Sequence, residues 1–148
     1  MPKVFWNPLV PELTVRNFKQ SLDFYTNLLG FRVRYARSEP SFAYLDCDGA
    51  QLMIEEMHNA GWETATLETP FGRGINITIE MADVSACYKR MLAAGWPLFR
   101  PICDKCYKSS ENEESVMREF LLQDPDGYLL RPSQYLSTRV AGEEHPVK

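Results

Sequence analysis

One pattern occurs twice in this chain, and it restricts the available folds more than any other feature. An alternating apolar run leads to an Asn or Asp, a helical stretch follows, and a glycine ends it. The first copy runs from residues 9–16 through Asn17 and apolar Phe18, Leu22, Tyr25, Leu28 and Leu29 to Gly30. The second runs from residues 74–81 through Asp83 and Val84, Cys87, Tyr88, Met91 and Leu92 to Gly95. The copies lie about 65 residues apart, a period that points to a duplicated supersecondary unit. Asn and Asp suit the helix entry because their side-chain oxygens accept from the first free backbone N–H groups. Glycine suits the exit because a left-handed backbone costs it little.

Three further strands follow each helix, at residues 31–37, 42–46 and 50–57, and then at 97–100, 115–123 and 128–134. Ser38-Glu39-Pro40, Cys47-Asp48-Gly49 and Asp124-Pro125-Asp126-Gly127 supply turns between them. The expected fold class is therefore α+β, with two βαβββ modules forming an open curved sheet around a groove. Module one covers about 8–57 and module two about 74–136, within a single domain spanning 1–148. Residues 58–73 read as a linker, 101–114 as a polar loop around Tyr107, and 137–148 as a flexible tail.

Each helix covers one face of its strands, with Leu9, Leu13 and Val15 turned inward on the first. The other faces carry Val10, Glu12, Thr14, Gln51, Glu55, Asn76, Thr78, Glu80 and Arg131. Buried unpaired polar groups are costly, so that set describes a solvated groove between the modules or the wet outer face of an ordinary sheet.

Composition excludes several function classes. A net charge of -4 argues against a nucleic-acid surface and fits cationic ligands. No apolar run reaches the roughly 20 residues of a membrane span, and the opening residues lack a leader's apolar stretch. A cytoplasmic protein is expected. Cys47, Cys87, Cys103 and Cys106 then read as free thiols, Cys87 in the core. Cys103-Asp104-Lys105-Cys106 has no second pair to complete a zinc site. His58 reads as a solvated loop residue and His145 as part of the tail, neither near a nucleophile signature. No glycine-rich run precedes a helix in a phosphate-binding pattern.

Three motifs carry a family resemblance: Leu13-Thr14-Val15-Arg16-Asn17 leading to Ser21-Leu22-Asp23-Phe24-Tyr25, the exit Leu28-Leu29-Gly30-Phe31, and the Asp-Pro-Asp-Gly hairpin. With them the chain resembles the glyoxalase/bleomycin resistance/dioxygenase (vicinal oxygen chelate) superfamily. The resemblance implies two βαβββ modules curled around a cavity, commonly in a homodimer. The family's metal enzymes place ligands at positions matching Val10, Asn76 and Arg131. Val has no donor atom, an amide oxygen is weak, and a guanidinium is permanently cationic. No metal or other cofactor is therefore expected.

Arg131 followed by Gln134 is similar to the bleomycin-resistance branch, whose members bind the drug without chemistry. The implied function is metal-independent sequestration of a bleomycin-type glycopeptide, conferring antibiotic resistance. Glu12, Glu55, Phe42, Trp62, Phe71, Tyr107 and Arg131 are the expected ligand-binding residues, with no catalytic residue. Carboxylates would meet the drug's charge and aromatic faces its flat rings. Arg131 is expected to bridge Glu12, Glu55 or Glu80. The alternatives are a binder of another metabolite, or a metal-dependent lyase or dioxygenase using Glu12, Glu55 and Glu80 as hard oxygen ligands.

Overall fold

The computed structural model, which describes residues 5–142, contains both expected modules as two four-stranded sheets. The first has the order β1–β4–β3–β2, with β1 at Glu12–Val15, β2 at Arg32–Arg37, β3 at Phe42–Cys47 and β4 at Ala50–Glu56. The second has the order β5–β8–β7–β6, with β5 at Asn76–Glu80, β6 at Leu98–Lys108, β7 at Glu113–Gln123 and β8 at Leu129–Val140. In each, the first strand runs parallel to the last and the other pairings are antiparallel. The fold is α+β, βαβββ twice.

The helices start where their caps predict. Asn17 Oδ1 accepts from Gln20 N at 3.0 Å ahead of α1 (Phe18–Asp23), and Asp83 Oδ1 accepts from Ala86 N at 3.1 Å ahead of α2 (Val84–Ala93). The first helix departs from regularity at Phe24, where it widens into a π-helical turn, Phe24–Leu28. That turn changes which side chains face inward. Ser21, Phe24, Tyr25 and Leu29 are buried, while Phe18, Leu22 and Leu28 are only partly covered.

Both modules share one core. Val15, Leu45, Leu52 and Ile54 from the first sheet join Ile79, Phe120, Leu122 and Leu130 from the second, with helix residues between them. Cys87 is fully buried there, and burial raises its thiol to about 11. Leu9 does not take the inward place expected of it and is 83% exposed. Proline at 8 and 11 removes two ladder donors, so β1 begins only at Glu12.

The Asp124–Tyr128 hairpin fastens one module to the other. Asp124 Oδ1 accepts the backbone N–H groups of Asp126 and Tyr128, each at 2.9 Å, and its Oδ2 accepts the Tyr25 hydroxyl at 2.7 Å. Asp126 takes the Arg16 backbone N–H at 3.0 Å and Nε at 2.8 Å, and the Ser21 hydroxyl at 3.3 Å. Tyr128 donates to Thr14 O at 3.0 Å. Burial outweighs these hydrogen bonds at Asp124 and pushes its carboxyl up to about 6. Gly127 sits at φ +103°, and a Cβ there would meet Pro70 Cβ at 2.5 Å, so the linker packs directly over the turn.

Two expectations about loops need correction. Residues 101–114 are not a loop: β6 and β7 run through them, and β8 continues through 137–140, where Glu113 pairs with Val140. This ribbon is exposed on both sides and lacks apolar periodicity, so its alternation is hidden. Cross-strand ion pairs mark it instead, Arg118–Asp104 at 2.8 Å and Arg139–Glu114 at 3.0 Å. Cys103 and Cys106 lie on β6 three residues apart, which turns them to opposite faces of the strand and rules out a shared ligand. The tail beyond Gly142, with His145, lies outside the described residues.

Candidate functional site

The polar face of the first sheet opens into a cavity of about 630 Å³. Glu12 and Thr14 project from β1, in register with Met53 and Glu55 on β4, because strand alternation sends Leu13 and Val15 into the core. Burial and the neighbouring Glu55 carboxylate push Glu12 above its usual 4.5, while Arg37 pulls it down.

The segment after β4 completes the cavity with His58, Ala60 and Trp62. His58 is no bystander: its Nε2 lies 2.5 Å from Glu55 Oε1, and its Nδ1 accepts from Ala60 N at 3.2 Å. The accepting Nδ1 leaves the proton on Nε2, which donates to Glu55. The (i, i+3) spacing from Glu55 was the available signal, though at the end of a strand it predicts no contact. Trp62 stands at the mouth, 95% exposed.

Two expected groove aromatics are not among the residues lining this cavity. Phe42 lies on the polar face but is only 1% exposed, covered by the Arg37 guanidinium 4.1 Å from its ring centroid. Phe71 is buried in the shared core against Tyr128. Gln51 is also closed off. Its side chain receives Asn7 N at 2.8 Å and donates to Phe5 O at 2.6 Å, while Trp6 packs edge-on against Tyr44 at 4.9 Å. The N-terminal arm therefore covers the far half of this face.

The second sheet has its own cavity, about 200 Å³, lined by Asn76, Arg100, Lys105, Tyr107, Glu119 and Arg131, with Phe99, Leu121 and Leu129 as its apolar part. Within this chain no residue lines both cavities. The shared core explains this, since each module turns its apolar face inward and its polar face outward. Arg131 bridges none of Glu12, Glu55 and Glu80. Its Nε and Nη2 donate to Thr78 Oγ1 at 3.0 and 2.7 Å, and its Nη1 lies 3.9 Å from Glu119 Oε2. Glu119, 3% exposed, also accepts the Tyr107 hydroxyl. Burial and Glu119 together raise the Tyr107 pKa. Gln134 is structural: its side-chain oxygen accepts Val84 N at 3.0 Å at the head of α2.

Residues 8–131 match the Glyoxalase/Bleomycin resistance protein/Dioxygenase superfamily. The chain belongs to that superfamily. A bleomycin resistance protein from Geobacillus stearothermophilus is 26% identical over 129 residues, 82% of this chain and 91% of that one. One from Staphylococcus aureus matches to the same extent. Among solved structures, TioX from Micromonospora sp. ML1 has a TM-score of 0.65 at 19% identity, covering 88% of this chain and all of that one. A superfamily protein from Alicyclobacillus acidocaldarius has a TM-score of 0.59 at 20% identity, covering 88% and 93%. These two show the shared fold.

The metal ligands that the superfamily implies do not fit here. Val10 lines the first cavity while Asn76 and Arg131 line the second, so the three positions do not meet within this chain. The alternative carboxylate set fails as well, since Glu12 and Glu55 share a cavity that Glu80 does not line. Among the described residues, no three His, Cys, Asp or Glu side chains are gathered as a metal ion requires. No reaction step is derived through a metal.

Proposed function

We propose that this chain binds and sequesters a bulky cationic ligand with flat aromatic groups, of the bleomycin class, without transforming it. The observation carrying this reading is the first cavity, where Glu12 and Glu55 line one wall and the uncovered Trp62 indole stands at the mouth. Paired carboxylates favour a cation, and an exposed indole offers a face for stacking and cation–π contact. The volume of about 630 Å³ lies in the range of drug-sized sites. Similarity to proteins named for bleomycin resistance supports the same class.

The cavity is open on one side, and we propose that a second copy of the chain walls it, so that the working unit is a homodimer. Cys47, Cys87, Cys103 and Cys106 are free thiols, which suits a reducing cytoplasm. Among the described residues no helix is long and apolar enough to cross a membrane.

Calorimetry with bleomycin tests the reading. Saturable binding near one drug per subunit is expected. The double change Glu12→Gln and Glu55→Gln should weaken it at least about tenfold, since a hydrogen bond to a charged group contributes about 1.5–3 kcal/mol. No heat up to high micromolar drug would reject the drug class.

A further inference from the structure

We propose that Arg37 is a displaceable gate over an aromatic cation subsite, which a flat organic cation such as an aromatic amidinium enters by replacing its guanidinium on the Phe42 ring. The inference rests on the reading of the first cavity as a cation site, and it adds a deeper pocket that the free chain fills from within. Register builds the subsite. Arg37 on β2, Phe42 on β3 and Glu55 on β4 form one row across the first sheet, so their side chains share its polar face. The ring therefore lies between a carboxylate and a cation of the same sheet. Arg37 Cζ stands 4.1 Å from the ring centroid, and Phe42 is 1% exposed. An aromatic face beside a carboxylate suits a cation, and here an internal cation occupies it.

Two observations make that occupant movable. Arg37 separates two cavities, the one of about 630 Å³ and a smaller one of about 190 Å³. Both have Arg37, Pro40 and Glu55 in their walls, and Phe42 lines only the smaller. Turning the guanidinium outward would join them and put Phe42 on the floor of the larger. Little holds the guanidinium in place. Arg34 on the same strand is tied to Asp46 at 3.0 Å, whereas the Arg37 side chain has no ion-pair partner among the described residues. Its contact with the ring is a cation–π contact made by an exposed residue, the weak form of that interaction. Arg37 also draws the Glu12 carboxyl down against the effect of burial, so it serves as counter-ion to the carboxylates a ligand would meet. A ligand cation stacked on Phe42 beside Glu55 takes over both roles. Until then the guanidinium lowers the apparent affinity in proportion to the fraction of molecules whose ring is free. A neutral ring gains the stacking alone.

Calorimetry of the full chain with benzamidinium, and with neutral benzamide of similar shape, tests the gate. Benzamidinium should bind saturably and benzamide should not. Arg37→Gln should tighten benzamidinium at least about fivefold. Arg32→Gln, which removes the same charge from the same strand, should change it less than about twofold. Phe42→Leu should cost little in the parent, because losing the stacking face also removes the competitor, and at least about fivefold in the Arg37→Gln background. The Arg37 Nε–H resonance, displaced by the Phe42 ring current, should move on saturation, and this readout needs no variant to fold. Absence of saturable benzamidinium binding, equal tightening by Arg32→Gln, equal cost of Phe42→Leu in both backgrounds, or an unmoved Arg37 resonance would overturn the gate. Bleomycin giving no heat while benzamidinium behaves as stated would reject the drug class and leave the gate standing. Bleomycin binding without the Arg37 effects would do the reverse.

Discussion

The two modules share a topology and differ in charge at the same place. Thr14 faces Glu55 across the parallel pair of the first sheet, and Thr78 faces Arg131 across that of the second. One slot in a duplicated scaffold thus holds a carboxylate in one copy and a guanidinium in the other. Backbone pairing and a shared apolar core fix the position; nothing in either fixes the sign of the charge. The modules also differ in the hairpin preceding that slot. Asp48-Gly49 is a solvent-exposed turn, while Asp124–Tyr128 clasps the first module through Arg16, Ser21 and Tyr25. A turn that closes two strands in one copy joins two modules in the other.

The largest effect should come from breaking that asymmetry at the hairpins. Asp124→Ala leaves the Tyr25 hydroxyl and two backbone N–H groups without their acceptor, at a cost of about 3–5 kcal/mol in urea unfolding. Asp48→Asn, which keeps a residue suited to the left-handed backbone at φ 49°, should stay within about 1 kcal/mol of the parent. Equal losses would mean that the second hairpin is no clasp.

Next in size is a pH effect that the first module's exposed hairpin cannot share. Asp124 titrates at about 6 when folded, against 3.8 ordinarily, so the folded state holds the proton more tightly. The stability this confers is complete below the lower value and is lost as pH rises through about 6, at most about 3 kcal/mol. Asp124→Asn removes the titration. Parent stability minus variant stability should therefore fall between pH 4 and 6.5; a difference that stays flat or rises contradicts the assignment.

Smaller again is the aromatic contribution to binding. Trp62→Ala should weaken bleomycin about fivefold, near 1 kcal/mol, and quench the drug-dependent change in tryptophan emission. Tyr107→Ala in the other cavity should leave the drug affinity unchanged. A matching loss would show both cavities serving one ligand.

Much of this fold was legible because local chemistry and global packing agree. Asn17, Asp83, Gly30 and Gly95 mark the helix ends, and the alternation Ile75, Ile77, Ile79 marks β5. The far ends of β6, β7 and β8, beyond the strands read at 97–100, 115–123 and 128–134, were not legible, because strands exposed on both faces lack an apolar side. At the site, alternation placed Glu12, Thr14 and Glu55 on one face correctly. It could not show that the second module's polar face lines a different cavity, since alternation gives a face and not the direction in which the face looks. Glu119 was readable by the same alternation, opposite core-facing Phe120, yet no short-range signal joins it to Arg131. Phe71 misled because a loop aromatic beside glycines resembles a binding residue, whereas here it caps the core beneath the clasp.

The difference in charge is tested most directly by titrating bleomycin against the Glu12→Gln, Glu55→Gln and the Arg100→Gln, Lys105→Gln variants. The first pair of changes should weaken the drug at least about tenfold and the second should leave it within about twofold. Equal weakening by both pairs would contradict a drug site built on the carboxylates of the first cavity.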